Sequence, residues 1–189
     1  MDLLLPLWLP ILLSAAAIWV LSLVVWMALP HHKRDFIAIA HPPGEDGLME
    51  YIRSSGIKPG NYLFPDFRDR ASMETAKTQK ALQEGPVGHL SIWPTPLTMG
   101  SKLIATFFVH LVVSILIAYL ARIALPGPAP FAKVFQIAAT AGILAYCFSF
   151  IPSALWWGSY KRTIVANVID GVLFGLVIGA IFAWRWPHA

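Results

Sequence analysis

Polar and apolar positions are not mixed along this chain; they come in long blocks. The first block runs from Leu3 to Pro30 without one charged residue. As a helix it would measure about 40 Å, more than the hydrocarbon thickness of about 30 Å. Pro6 and Pro10 fall in its first turns, where a missing N–H costs little. Three further blocks follow a polar interval: Leu103 to Leu125, broken by His110 and Arg122; Val134 to Tyr160, with Pro152 placed to kink it; and Thr163 to Trp186, interrupted by Asp170. Each is long enough to cross a bilayer. Trp156, Trp157 and Tyr160 at one end of the third block, and Trp184 and Trp186 at the end of the fourth, fit the aromatic belt of a membrane interface.

The interval between the first two blocks reads differently. Glu45 and Asp46 open an acidic first turn, Leu48, Met49 and Ile52 form one apolar stripe, and Gly56 stands where a helix would stop. Lys58-Pro59-Gly60-Asn61 fits a type II turn leading into a strand over Asn61 to Phe64. Ser72 is placed to cap a second helix reaching Glu84, closed by Gly85-Pro86. Val87 to Trp93 then alternates, Leu90 and Ile92 against His89, Ser91 and Trp93. The prediction is an all-α membrane protein, a four-transmembrane-helix bundle with a small α/β extramembrane insert between helices 1 and 2. Helix 1 falls in residues 1–30, the insert in 31–101, and helices 2–4 in 102–189.

Composition agrees with that division. Only 13% of the 189 residues are charged, against about 25% in globular proteins. Of the 24 charged residues, 17 lie between Lys33 and Lys102. A single Cys excludes a disulfide scaffold, and the absence of a basic stripe excludes a nucleic-acid binder. A cleaved signal peptide, suggested by Ser14-Ala-Ala-Ala17, is disfavoured because the start carries Asp2 and no Lys or Arg, and because the apolar run is too long.

A two-stranded insert without cysteines is marginal alone. It is expected to lean on helix ends, lipid headgroups or another protein through Tyr62, Phe64, Phe67, Trp93 and Leu97, unless these side chains fill a core of its own. The partners expected are therefore the lipid bilayer and either a protein partner or a second copy of the chain.

The fourth block carries a small or polar residue at every fourth position: Asn167, Gly171, Gly175, Gly179 and Ala183. Such a stripe lets backbones approach closely in lipid. The expected neighbour is the third helix, through Ala138, Ala141, Gly142, Ala145 and Ser149; homodimerisation would use the same stripe. Asp170 stands beside it, and an acid inside a span is a functional suspect. His110 lies at a similar depth by helical rise, so Asp170, His110 and Asn167 form a candidate intramembrane polar site. The alternative is structural, with Asp170 bonded to Asn167, Tyr160 or Ser114 and His110 reaching the interface.

His31, His32, His41, His89 and His110 gather towards the insert side, with Asp35 four residues after His31. Adjacent His31 and His32 should point to different faces, and no H-x-x-x-H or Cys pair supports them, so no metal site is assigned. Haem would need two facing ligands where the helix interiors supply only His110, so no cofactor is expected. Buried Cys147 reads as packing. No nucleotide-binding, zincin, thioredoxin-type or nucleophile-elbow motif occurs, which leaves enzymatic activity undecided.

Several blocks form a pattern together: Trp26-Met27 with Leu29-Pro30-His31-His32-Lys33, Lys58-Pro59-Gly60-Asn61-Tyr62-Leu63-Phe64-Pro65, Glu84-Gly85-Pro86-Val87-Gly88, Met99-Gly100, Ile169-Asp170-Gly171-Val172 and Trp184-Arg185-Trp186-Pro187. Over most of its length the chain resembles a group of uncharacterised small bacterial four-span inner-membrane proteins. The resemblance implies a bacterial inner-membrane setting and a four-span layout, and transfers no role to any residue. The functional expectation is a structural or interaction component, an accessory subunit. The alternative is a small transporter or membrane enzyme with a proton- or cation-handling site at Asp170 and His110.

Lys33, Arg34, Lys102, Lys161 and Arg162 flank the insert side, against Arg122, Lys133 and Arg185 opposite. The positive-inside rule then puts the insert in the cytoplasm and both termini outside. Alkaline phosphatase fused after Ala189 is expected to be active; fluorescence from a cytoplasmic reporter at the same position would reverse the orientation.

Overall fold

The computed structural model describes residues 4–187; Asp2, which argued against a cleaved signal peptide, and Leu3, the start of the first apolar block, lie outside them. The chain divides into two compact units, residues 37–97 and the remainder. His31, His32 and Asp35, expected in the insert, therefore belong with the long helices.

In that larger unit, among the described residues, four helices are long and apolar enough to cross a membrane: Leu5–Ala28, Met99–Ala124, Phe131–Trp156 and Lys161–Trp184. The first begins with a 3₁₀ turn over Leu5–Leu7 that absorbs Pro6, continues as α1 (Trp8–Leu23) and ends in a π turn, Val24–Ala28. Pro30 ends it, because the residue before a proline is driven out of helical geometry; Leu29 is extended, with φ −81° and ψ 143°. Helix α5 (Met99–Ala124) is uninterrupted. The third apolar stretch is broken: α6 (Phe131–Ile143) passes into a π turn (Leu144–Phe148), and a short helix, α7 (Ile151–Trp156), restarts after it. Pro152 explains the restart. It cannot donate to a preceding carbonyl, so it sits in the first turn of a new helix, where no donor is needed. Helix α8 (Lys161–Trp184) is continuous.

These helices pack in a closed ring, α1 on α5, α5 on α6, α6 on α8 and α8 on α1. Leu7, Ile18, Ile117, Val134, Ile178 and Phe182 are among the side chains that fill its centre. The indole of Trp19 donates to the carbonyl of Leu103 at 3.0 Å and ties the end of α1 to the start of α5. Outwards, Ile104, Phe108, Val112, Leu116, Leu120 and Ile123 of α5 are all exposed. An apolar stripe of that length is stable in hydrocarbon rather than in water. Trp156, Trp157, Tyr160 and Trp184 are exposed, as a belt requires, but Trp186 is not. It is buried, and its indole donates to the carbonyl of Gly127 at 3.2 Å. An indole N–H inside a core needs an acceptor, and the α5–α6 loop supplies one.

The closest packing is between α6 and α8. A Cβ on Gly179 would lie 2.6 Å from that of Ala139, one on Gly175 2.6 Å from the backbone nitrogen of Ile143, and one on Gly171 2.8 Å from the carbonyl oxygen of Tyr146. The stripe is thus used within the chain. Its partner face is Ala139, Gly142, Ile143, Tyr146 and Cys147, which shares only Gly142 with the expected set: α6 turns a neighbouring face to α8, already set at Ala139 before the π turn begins.

The unit of residues 37–97 contains α2 (Gly44–Ser54), β1 (Gly60–Phe64), α3 (Arg70–Glu74), α4 (Ala76–Glu84) and β2 (Gly88–Ile92). The strands pair antiparallel, Gly60 opposite Ile92 and Phe64 opposite Gly88. Gly56 follows α2 with φ +68°, as a helix stop requires. Two local expectations fail. Gly60 does not take the positive φ of a type II turn but begins β1, since its partner Ile92 keeps it extended. The helix expected from Ser72 is two helices: Asp69 caps α3 by accepting from the Ser72 N–H, and Thr75 caps α4 by accepting from the Thr78 N–H. Two better acceptors flank Ser72, so it becomes an interior residue. Thr78 is the only buried residue of this unit; Tyr62, Phe64, Trp93 and Leu97 are exposed and Phe67 half-buried, so these aromatics do not make a core.

Gly175→Leu forces a side chain against backbone atoms of Ile143 and Ala139 that have nowhere to move. It is expected to cost more than the about 1–3 kcal/mol of ordinary overpacking and to remove the monodisperse monomer peak after mild detergent extraction. A variant with wild-type thermal stability that lost only a dimer band would assign the stripe to self-association.

Candidate functional site

Immediately after the extended Leu29, Pro30–His32 forms a 3₁₀ turn that packs on α8. A tight turn just beyond a helix end does not obey the face alternation of a regular element. Both imidazoles fold back toward one carboxylate, that of Asp170, nine residues into α8. His32 Nε2 lies 2.7 Å from Asp170 Oδ2, and His31 Nε2 lies 3.2 and 3.3 Å from the two Asp170 oxygens. The expectation that His31 and His32 diverge is therefore corrected.

His32 is held from both sides. Its Nδ1 lies 2.6 Å from Asp35 Oδ2, so each ring nitrogen faces a carboxylate. With both acids ionised, both nitrogens must donate, and the ring is an imidazolium. The indole of Trp26, carried by the π turn, stacks on it with parallel planes and 3.9 Å between centroids, a placement that favours a cation. Arg162, in the first turn of α8, donates from Nη2 to the carbonyl oxygen of His31 at 2.7 Å, and its Nη1 stands 3.5 Å from Asp35 Oδ1. Two acids thus face Arg162 and a protonated His32. The cluster is shielded: the side chains of His32, Asp35 and Asp170 are 2%, 3% and 8% exposed, whereas His31 is 33% exposed and forms the open edge.

Burial alone would disfavour the charged form of His32, but the hydrogen bonds and charges of Asp35 and Asp170 outweigh it and raise the pKa. Burial likewise disfavours the Asp35 carboxylate, and His32, Thr163 and Arg162 together outweigh that and lower its pKa.

The other candidates are placed elsewhere. His110 is buried and does not reach Asp170; its Nδ1 lies 2.9 Å from the Tyr146 hydroxyl. Asn167 donates to the carbonyl of Thr163 in its own helix at 2.8 Å. Cys147 packs against Gly171, with its thiol 3.4 Å from the carbonyl of Val168. His41 and His89 lie in the unit of residues 37–97. Asp170 was legible as an acid in an apolar span, and His31, His32 and Asp35 as a polar group near the insert, but not that they converge on Asp170. The available signal was Pro30, which ends the helix directly before two histidines, together with a carboxylate that needed a cation.

Chemically, His31 Nε2, His32 Nε2 and an Asp170 oxygen all lie within 4.8 Å of one another, so two imidazoles and a carboxylate could share one ion. Alternatively, Asp170, His32 and Asp35 form a continuous path for a proton. Comparison of the chain with family models, with curated proteins and with solved structures returns no match.

The pH dependence follows from the two shifts. A raised pKa means His32 contributes fully below its ordinary value near 6.5, and the contribution is lost as pH rises through the folded value. A lowered pKa means Asp35 contributes fully above its ordinary value near 3.8, and the contribution is lost as pH falls through the folded value. Both are present together between those ordinary values. In chelator-treated protein the difference in melting temperature between wild type and His32→Ala is expected to be largest there and to shrink on the alkaline side. A difference unchanged into alkaline solution would mean that the ring is not charged between its two acids.

Proposed function

We propose that this is a multi-pass inner-membrane protein of bacterial type, acting as a small transporter or membrane enzyme whose working group is the Asp170 carboxylate. The carrying observation is that a single acid within an apolar helix is shared by two imidazoles, one of them clamped from behind by a second acid. A structural tether would be complete with one counter-ion, and Arg162 already pins this loop through the His31 carbonyl. The additional imidazole, on the open edge, is what a site that takes up and gives back a proton or cation requires. In this reading His31 and His32 replace His110 as the partners of Asp170. Four crossings would leave both termini on one side, and Lys33, Arg34, Lys102, Lys161 and Arg162 favour a cytoplasmic location for the His31–Asp35 segment.

A second reading, an accessory subunit, draws on the unit of residues 37–97, whose aromatic side chains are exposed while only Thr78 is buried. A thin domain of this kind is completed by a partner surface.

Chromosomal replacement separates the two. Asp170→Asn, accumulating to the wild-type level, is expected to reproduce the defect caused by deleting the gene, while Tyr62→Ser with Trp93→Ser leaves growth intact. The opposite pattern would transfer the function to the aromatic surface.

A further inference from the structure

We propose that His31 Nε2, His32 Nε2 and the Asp170 carboxylate are three protein ligands of a zinc-class transition-metal ion, with Asp35 orienting His32 from behind. This names the cation of the Asp170 site and rests on the reading given above.

The donor set selects the class. Two imidazoles and one carboxylate suit zinc and its first-row neighbours, whereas magnesium and calcium take oxygen ligands. Geometry agrees. Metal–ligand bonds of about 2.0–2.1 Å in a tetrahedron put neighbouring donor atoms about 3.3 Å apart. His31 Nε2 already stands 3.2 and 3.3 Å from the Asp170 oxygens. His32 Nε2, at 2.7 Å from Oδ2, must open by about 0.6 Å to reach the same spacing. The three donors converge from two elements, the 3₁₀ turn and α8, and none is further than 4.8 Å from another. Three protein ligands leave a fourth position for water or a substrate atom, as in catalytic and transport sites rather than closed structural ones.

The surroundings are those of a ligand shell. A metal-bound imidazole generally gives its other N–H to a carboxylate, which holds the ring and raises its basicity. His32 has that partner, with Asp35 Oδ2 2.6 Å from Nδ1. Arg162 holds the backbone of His31 at its carbonyl oxygen, so the turn is fixed independently of the ion. On binding, the ion takes the place of the proton between His32 Nε2 and Asp170. That proton leaves to solvent, and the Nδ1 proton stays in its bond to Asp35. His31, at the exposed edge, marks the side from which the ion enters.

The test uses the full chain without a histidine tag, purified in mild detergent, stripped with chelator, reloaded with zinc or cobalt and desalted. One equivalent of metal per chain is expected by mass spectrometry, with the visible absorption of tetrahedral cobalt. His31→Ala keeps the His32–Asp170 bond and so the fold, and is expected to weaken binding at least about tenfold. Asp35→Asn should weaken it about 10–100-fold while leaving one site. His41→Ala and His89→Ala should bind as wild type. A wild-type chain that retains neither metal, or a His31→Ala chain that retains as much as wild type, overturns the assignment. In the first case a functional loss in Asp170→Asn would still uphold the reading of Asp170 as the working group.

Discussion

The arrangement of one end of this molecule follows from a single carboxylate. Asp170 lies in an apolar helix with its side chain nearly out of reach of solvent. An uncompensated charge there would cost several kcal/mol. The segment after α1 is bent to prevent that: a proline ends the helix, a 3₁₀ turn brings two imidazoles onto the acid, Asp35 balances the charge of His32, and Arg162 in turn faces Asp35. The ion pairs hold the loop to α8, and the loop in turn makes the buried acid tolerable.

The glycine seam between α6 and α8 supplies the rigidity this requires. Gly171 immediately follows Asp170, and its backbone rests against Tyr146 and Cys147 in the π turn. A wider turn in the middle of an apolar helix re-aims its side chains. Here it presents Tyr146 to His110 and directs Cys147 toward the backbone of α8. His110 Nδ1 is thereby engaged by Tyr146, and Asp170 is left to the histidines of the loop after α1. Packing that is close to backbone contact along α8 holds the acid in place, while the turn after Pro30 carries its two imidazole partners.

The residues between 37 and 97 follow a different logic. They have a two-stranded ladder, two well-capped short helices and almost no buried side chain. Local hydrogen bonds, such as those of Asp69 and Thr75, account for their shape more than burial does. Local bonding of this kind shapes short helices without supplying the apolar burial that stabilises a domain by itself.

Four long apolar helices, the polar interval, the two strands and the small-residue face of α8 were legible in the sequence. Each depends on a local property: length of an apolar run, alternation, or spacing of glycines along one helix. Asp170 was legible for the same reason, as a charge where none is cheap. Its partners were not, because the direction of a side chain in a loop depends on where the next helix lies. His31 and His32 converge only because the turn after Pro30 meets α8, and His110 is diverted only because the π turn brings Tyr146 to it. Trp186 was misplaced for the same cause, since its acceptor belongs to a loop 59 residues away. Sequence by itself determined which segments seek hydrocarbon and which residue could not rest there unpaired; tertiary structure alone decided which side chains meet that residue, because distance in space, not along the chain, sets the strength of a charge interaction.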